Sequence, residues 1–126
     1  MLKCLMVGLG GAVGSMGRYL IGLAMASVSE RFPFSTLLIN AVGALLIGGI
    51  TAFSEQVTPL PAPLLLLLTT GVCGGFTTFS TFSLETMRLL DRGRLGSAAL
   101  YAGASVLLCL AGIWLGRIAV RTLFVR

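Results

Sequence analysis

Four long stretches of this chain carry almost no charge: residues 5–29, interrupted only by Arg18, then 32–54, 56–84 and 95–116. Each is long enough to cross the ~30 Å hydrocarbon layer of a bilayer as a helix of about 20 residues. The fold class that follows is an all-α integral membrane protein with four transmembrane helices, spanning about 3–29, 33–54, 62–90 and 95–121. These spans form one membrane domain over residues 1–126, which leaves almost nothing outside the bilayer. Any function must therefore be carried out by groups inside the membrane.

The basic residues do not choose a side. Four spans place both termini and the second loop on one face, which then holds Lys3, Arg117, Arg121 and Arg126. The opposite face holds Arg31, Arg88, Arg92 and Arg94. Orientation is normally set by an excess of Lys and Arg in cytoplasmic loops. With no excess, the chain has no strong reason to insert one way round. The assembly expected from insertion both ways is an antiparallel, dual-topology homodimer with its two-fold axis in the membrane plane.

Composition excludes several other classes. A net charge of +5 would suggest nucleic acid in a soluble protein, but the chain is 56% hydrophobic and its basic residues flank apolar segments. Anchoring at lipid headgroups accounts for them, and no nucleic-acid partner is expected. Cys4, Cys73 and Cys109 fit neither a disulfide framework nor a metal-ligand spacing, and histidine is absent. Lys3, an apolar run and Ala24-Met25-Ala26 resemble a secretory signal peptide, but Arg18 and five glycines interrupt the apolar region. The same glycines fall short of a dinucleotide fingerprint, because Val13 stands where the third glycine belongs and no strand precedes it.

Those glycines let helices touch. In lipid no hydrophobic force drives helices together, so close approach at small residues has to. Gly10 and Gly14 form a GxxxG pair, and Gly43, Ala44, Gly48 and Gly49 line the second span. Packing within one bundle and packing between subunits account for such a pair equally well.

Arg18 is the one charge well inside a span. A central arginine costs roughly 2.5–3.5 kcal/mol on insertion scales, so it should face the bundle or a wet vestibule, unless it snorkels from near the helix end. No acid lies in the first, second or fourth span. A proton-coupled exporter or a cation pore normally needs one. The pattern suits anions.

The third span is the most unusual. Pro59, Pro61 and Pro63 mark its start, where proline is tolerated. After an apolar run come Gly74-Gly75 and then Thr77 to Ser83, in which five of seven residues carry hydroxyls and the other two are Phe79 and Phe82. Adjacent glycines at mid-membrane favour a helix broken there, which is tolerated only where freed backbone groups meet protein, water or an ion. Phe79 and Phe82 lie one turn apart, and the positive edges of their rings could replace part of an anion's hydration. Thr36 and Asn40 are also one turn apart and offer hydroxyl and amide donors. Tyr101, Ser105 and Cys109 repeat every four residues along the fourth span. Three polar stripes and a buried arginine suggest an anion path. Glu85 either faces the mouth of that path or pairs with Arg88 at i,i+3.

These residues are similar to those of the Fluc (CrcB-type) fluoride channels. The resemblance rests on Gly10-Gly11-Ala12-Val13-Gly14 leading to Arg18-Tyr19, on Ser35-Thr36-Leu37-Leu38-Ile39-Asn40, and above all on residues 71–82, GVCGGFTTFSTF. It covers essentially the whole chain. It implies a dual-topology antiparallel homodimer in the cell (inner or plasma) membrane, contacting only itself, fluoride and lipid. It further implies two separate fluoride pores and a structural Na⁺ at the centre, shared by both subunits through the backbone carbonyls of Gly74 and Thr77. Phe79 and Phe82 match the pathway phenylalanines, Asn40 the pore asparagine and Arg18 the vestibule arginine. Thr36, Tyr101 and Ser105 match polar track positions, and the hydroxyls of Ser80 and Thr81 are placed on the same pathway. Cys109 departs from the serine of the family pattern, and Ser35 stands where the family often has glycine.

The implied activity is passive and not enzymatic. Fluoride entering as neutral HF dissociates in a more alkaline cytoplasm and is trapped. A channel lets it leave down its gradient, aided by a negative interior worth ~2.3 kcal/mol per charge per 100 mV. Selectivity over chloride would come from a narrow path rich in directed donors. Two alternatives belong to other classes. A small dual-topology multidrug transporter shares the layout but works through a glutamate in its first span, where this chain has Arg18. A non-transporting membrane assembly protein explains the glycines, but not Asn40, Arg18 and the hydroxyl run.

Overall fold

The computed structural model describes residues 1–125; Arg126, counted above among the basic residues, lies outside them. Every regular element is helical: α1 (Leu2–Ala24), α2 (Phe34–Gln56), α3 (Ala62–Leu66), a π-helical segment (Leu67–Cys73), α4 (Gly74–Phe76), α5 (Phe79–Asp91) and α6 (Leu95–Phe124). By length and hydropathy these make four membrane-crossing helices: Leu2–Ala24, Phe34–Gln56, Ala62–Asp91 and Leu95–Phe124. The chain is a multi-pass membrane protein. Arg18 lies six residues before the end of α1, roughly 9 Å along the axis.

Glycine sets the packing. A β-carbon on Gly10 would lie 2.9 Å from the Gly71 α-carbon, and one on Gly75 would lie 2.5 Å from the Gly11 carbonyl oxygen. Real side chains cannot approach so closely, so α1 and the first half of the third span touch backbone to backbone. The Gly10–Gly14 pair thus serves packing within the chain. A second contact of the same kind joins α2 to α6. A β-carbon on Gly112 would meet the Ala41 carbonyl at 2.9 Å, and one on Gly48 would lie 2.7 Å from the Ile113 α-carbon. In lipid, where dispersion replaces the hydrophobic effect, this intimacy holds helix pairs together.

The third span breaks, but not at its glycines. Gly74 is fully helical (φ −65°, ψ −38°), and the chain leaves the helix at Thr77 (ψ 161°) and Thr78 (φ −154°, ψ 118°). The expected break at Gly74-Gly75 is corrected by two to three residues. The physical reason lies in α1 and α2: Gly75 is needed for close approach to Gly11, whereas Thr78 has an outside partner for its backbone. The loop joining α5 to α6 closes on Gly93, whose φ of 69° suits glycine, with Gly93 N–H donating to Leu90 and Arg94 N–H to Leu89.

Candidate functional site

Asn40 makes the break possible. Its side-chain oxygen accepts from the Thr78 N–H at 2.8 Å, and its amide nitrogen donates to the Thr78 carbonyl at 3.1 Å. One side-chain amide thereby stands in for a neighbouring peptide and satisfies both polar groups of an extended residue buried at membrane depth. This uses one of the two amide N–H bonds and leaves the second for other work. Asn40, expected as a donor along the path, is first of all the clamp of the broken helix.

The hydroxyl run supports the same break. Thr78 Oγ1 accepts from the Thr81 N–H at 3.2 Å, capping α5, and its hydroxyl contacts Thr81 Oγ1 at 3.1 Å and Ser80 Oγ at 3.3 Å. Ser80 and Thr81, expected on the pathway, gather around this cap. Thr77 Oγ1 and Ser83 Oγ donate back to the carbonyls of Cys73 and Phe79, at 2.9 Å each. Because Thr78 N–H goes to Asn40 and Thr81 N–H to the Thr78 hydroxyl, the carbonyls of Gly74 and Thr77 lose their i+4 donors.

An aromatic ladder runs from the break. The rings of Phe79 and Phe82 are 5.4 Å apart, Phe82 and Tyr101 5.2 Å, and Tyr101 and Phe32 5.6 Å in an edge-on arrangement. Tyr101 is fully buried, while Phe79 is 79% exposed and projects from the chain's surface. Thr36 and Tyr101 meet on one acceptor. Thr36 donates to Glu85 Oε1 at 3.0 Å and Tyr101 to Oε2 at 2.7 Å. Glu85 thus sits in the polar track and is not paired with Arg88. Reading the spans for acids had put weight on their absence from the other three helices and left Glu85 aside. The signal available was its spacing: Phe82 and Glu85 are three apart, which puts the carboxylate on the aromatic face of α5.

A cavity of about 450 Å³ lies beside the break, lined by Asn40, Thr77, Phe79, Phe82, Ser105 and Cys109 among others. Ser105 Oγ is buried there without a hydrogen-bond partner. The structure therefore brings together Asn40, Phe79, Phe82 and Ser105, and links Thr36 and Tyr101 to them through Phe82 and Glu85. Arg18 is half-buried on α1 and lines neither this cavity nor the smaller one by Glu85. Chemically, the arrangement offers ring edges and a lone hydroxyl, with no redox centre or nucleophile–base pair.

A small four-span membrane protein with a clamped helix break and an aromatic, hydroxyl-rich track is of the channel class. The matching family model, described as CrcB-like protein, Camphor Resistance (CrcB), covers residues 5–117, and the chain belongs to that family. A Geobacter metallireducens protein named fluoride-specific ion channel FluC is 49% identical over 98% of this chain and 100% of its own length. One of the same name from Geobacter sulfurreducens is 47% identical over the same shares. A third, from Agrobacterium fabrum, is 41% identical over 98% and 100%.

Proposed function

We propose that the chain is a fluoride-selective ion channel, not an enzyme, that exports cytoplasmic fluoride passively across the cell (inner or plasma) membrane. One observation carries this reading: a Phe79–Phe82–Tyr101 ladder leads from a broken helix to hydroxyl donors, in a chain matched end to end by relatives named as fluoride channels. The ring edges and the Ser105 hydroxyl replace water around a small, tightly hydrated anion without a fixed positive charge to trap it. Chloride is larger and gains less from the same closely spaced donors.

The working unit is an antiparallel homodimer with two pores. Its support is the balanced count of basic residues and the exposed Phe79, which a second copy would cover. The carbonyls of Gly74 and Thr77, freed by the diversion of their i+4 donors, suit a hard cation such as Na⁺. Two from each subunit would hold one ion on the two-fold axis. When bound, it would supply a structural staple and a positive potential beside the pores. Arg18 would line a positive vestibule.

Efflux from liposomes tests the assignment. Protein-loaded vesicles should release fluoride rapidly and chloride negligibly. Comparable rates for the two ions would sink it.

A further inference from the structure

The second cavity, about 150 Å³, lies at the membrane-surface end of α5, between that helix and the α1–α2 loop. Its lining includes Arg31, Arg88 and Arg92, with Glu85 among the deepest groups. The three arginines are exposed, and none has a carboxylate within 4.0 Å; among the described residues the one such ion pair is Arg117 with Glu55. The walls are held in place. Ser35 N–H donates to Ser29 Oγ at 3.0 Å, and the Arg94 guanidinium donates to the Arg31 carbonyl, tying the α1–α2 loop to the α5–α6 turn. Glu85 turns both of its oxygens toward Thr36 and Tyr101.

The geometry points to this cavity as an anion-collecting mouth, in which Arg31, Arg88 and Arg92 reverse the repulsion that Glu85 would exert on an approaching anion. A carboxylate stationed where the aromatic ladder meets the aqueous side is a barrier to anions. Three unpaired guanidinium groups at the rim change the sign of the potential before an ion reaches it. Arg side chains are well suited to this, since they hold charge at any pH and bind anions through several N–H groups. The inference rests on the fluoride-channel reading. Lipid phosphate is the other anion these side chains could hold, and the permeating ion is favoured because the cavity runs inward to Glu85 rather than along the outer surface.

The test uses the full chain, reconstituted in vesicles of neutral phosphatidylcholine, with Arg88→Gln, Arg92→Gln, the double variant and Arg88→Lys. A unit charge about 8 Å from an ion in water changes its local concentration about twofold. Each glutamine should therefore lower initial fluoride flux about twofold near 10 mM ionic strength, and the pair about fivefold. The deficit should vanish near 1 M salt, where screening acts within about 3 Å. Arg88→Lys should retain parental flux. The discrimination against chloride should not move, since the mouth only concentrates anions. Equal flux for parent and double variant at low salt in neutral vesicles would overturn the proposal. So would a deficit seen only in vesicles with anionic lipid, which would make the arginines headgroup anchors. A flux-independent arm separates failure of the mouth from failure of the channel. Crystals soaked in bromide should show anomalous density at the Arg88 and Arg92 guanidinium groups of the parent and none in the double variant. Density missing from the parent overturns the mouth even if fluoride flows, and density present in a parent that passes no fluoride retains the mouth while removing the channel.

Discussion

Replacing Asn40 with alanine removes both bonds that hold Thr78 extended, at 2.8 and 3.1 Å. Each buried group left bare costs about 1–3 kcal/mol, so the break loses roughly 2–6 kcal/mol. Thr78 has an alternative. If residues 77–78 wind into helix, its N–H recovers the Gly74 carbonyl, and the gap in favour of the closed helix becomes about 2–4 kcal/mol. At about 1.4 kcal/mol per factor of ten, the broken form falls roughly 30- to 1,000-fold in relative population. Winding the break also rotates α5, which carries Phe79, Phe82 and Glu85 away from α2 and α6. Fluoride efflux from Asn40→Ala vesicles should drop by a similar factor, while the protein still elutes as a folded species on size exclusion. Solid-state NMR carbon shifts at Thr77 and Thr78 should move from extended to helical values. Parental flux with extended shifts would refute the clamp. Lost flux with the shifts still extended would also refute it, by making Asn40 a direct contact of the ion.

Three further outcomes are expected. Phe82→Ile keeps bulk but removes the ring edge between Phe79 and Tyr101, so efflux should fall by an order of magnitude or more without a change in elution; unchanged flux would reduce the ring to packing. Gly75→Val must push α1 off the third span, because a β-carbon there meets the Gly11 carbonyl at 2.5 Å; detergent thermal-shift midpoints should drop by several degrees, and an unmoved midpoint would show that the contact is slack. Accessibility of a C-terminal tag should be similar on both sides of the membrane, and about two or three lysines added beside Arg31 should bias insertion and lower activity. A parent found in one orientation only would remove the case for dual topology.

The spans were legible because an uncharged run of membrane length admits few other readings, and the glycine contacts because Gly10 and Gly14 can do little else in lipid. The break was legible in kind but not in place. Glycine is permissive of several conformations, so Gly74-Gly75 flagged a special position, while the deciding bond came from Asn40, which is 38 residues away. Long-range partners of that sort leave no local pattern. The same holds for Glu85, whose two donors stand on α2 and α6. Ser80 and Thr81 looked like pathway donors because hydroxyl spacing cannot distinguish a helix cap from a lining. The π-helical segment left no recognised trace at all, since Leu67-Leu68-Thr69-Thr70 reads as ordinary helix.

That segment bears on how the chain tolerates insertions and deletions. A π-helix holds i→i+5 bonds, the usual result of fitting an extra residue into an α-helix, and here it runs for seven residues, Leu67–Cys73. Removing one residue from it would let the i→i+4 ladder re-form and rotate everything downstream by about 100°. Gly75 would leave Gly11, and Thr78 would turn away from Asn40. The length of the stretch between the prolines and the break therefore sets the phase of the second half of the span. A single-codon deletion between Leu67 and Cys73 should be far more damaging than one in the loop at 57–61, although neither stretch carries a charge.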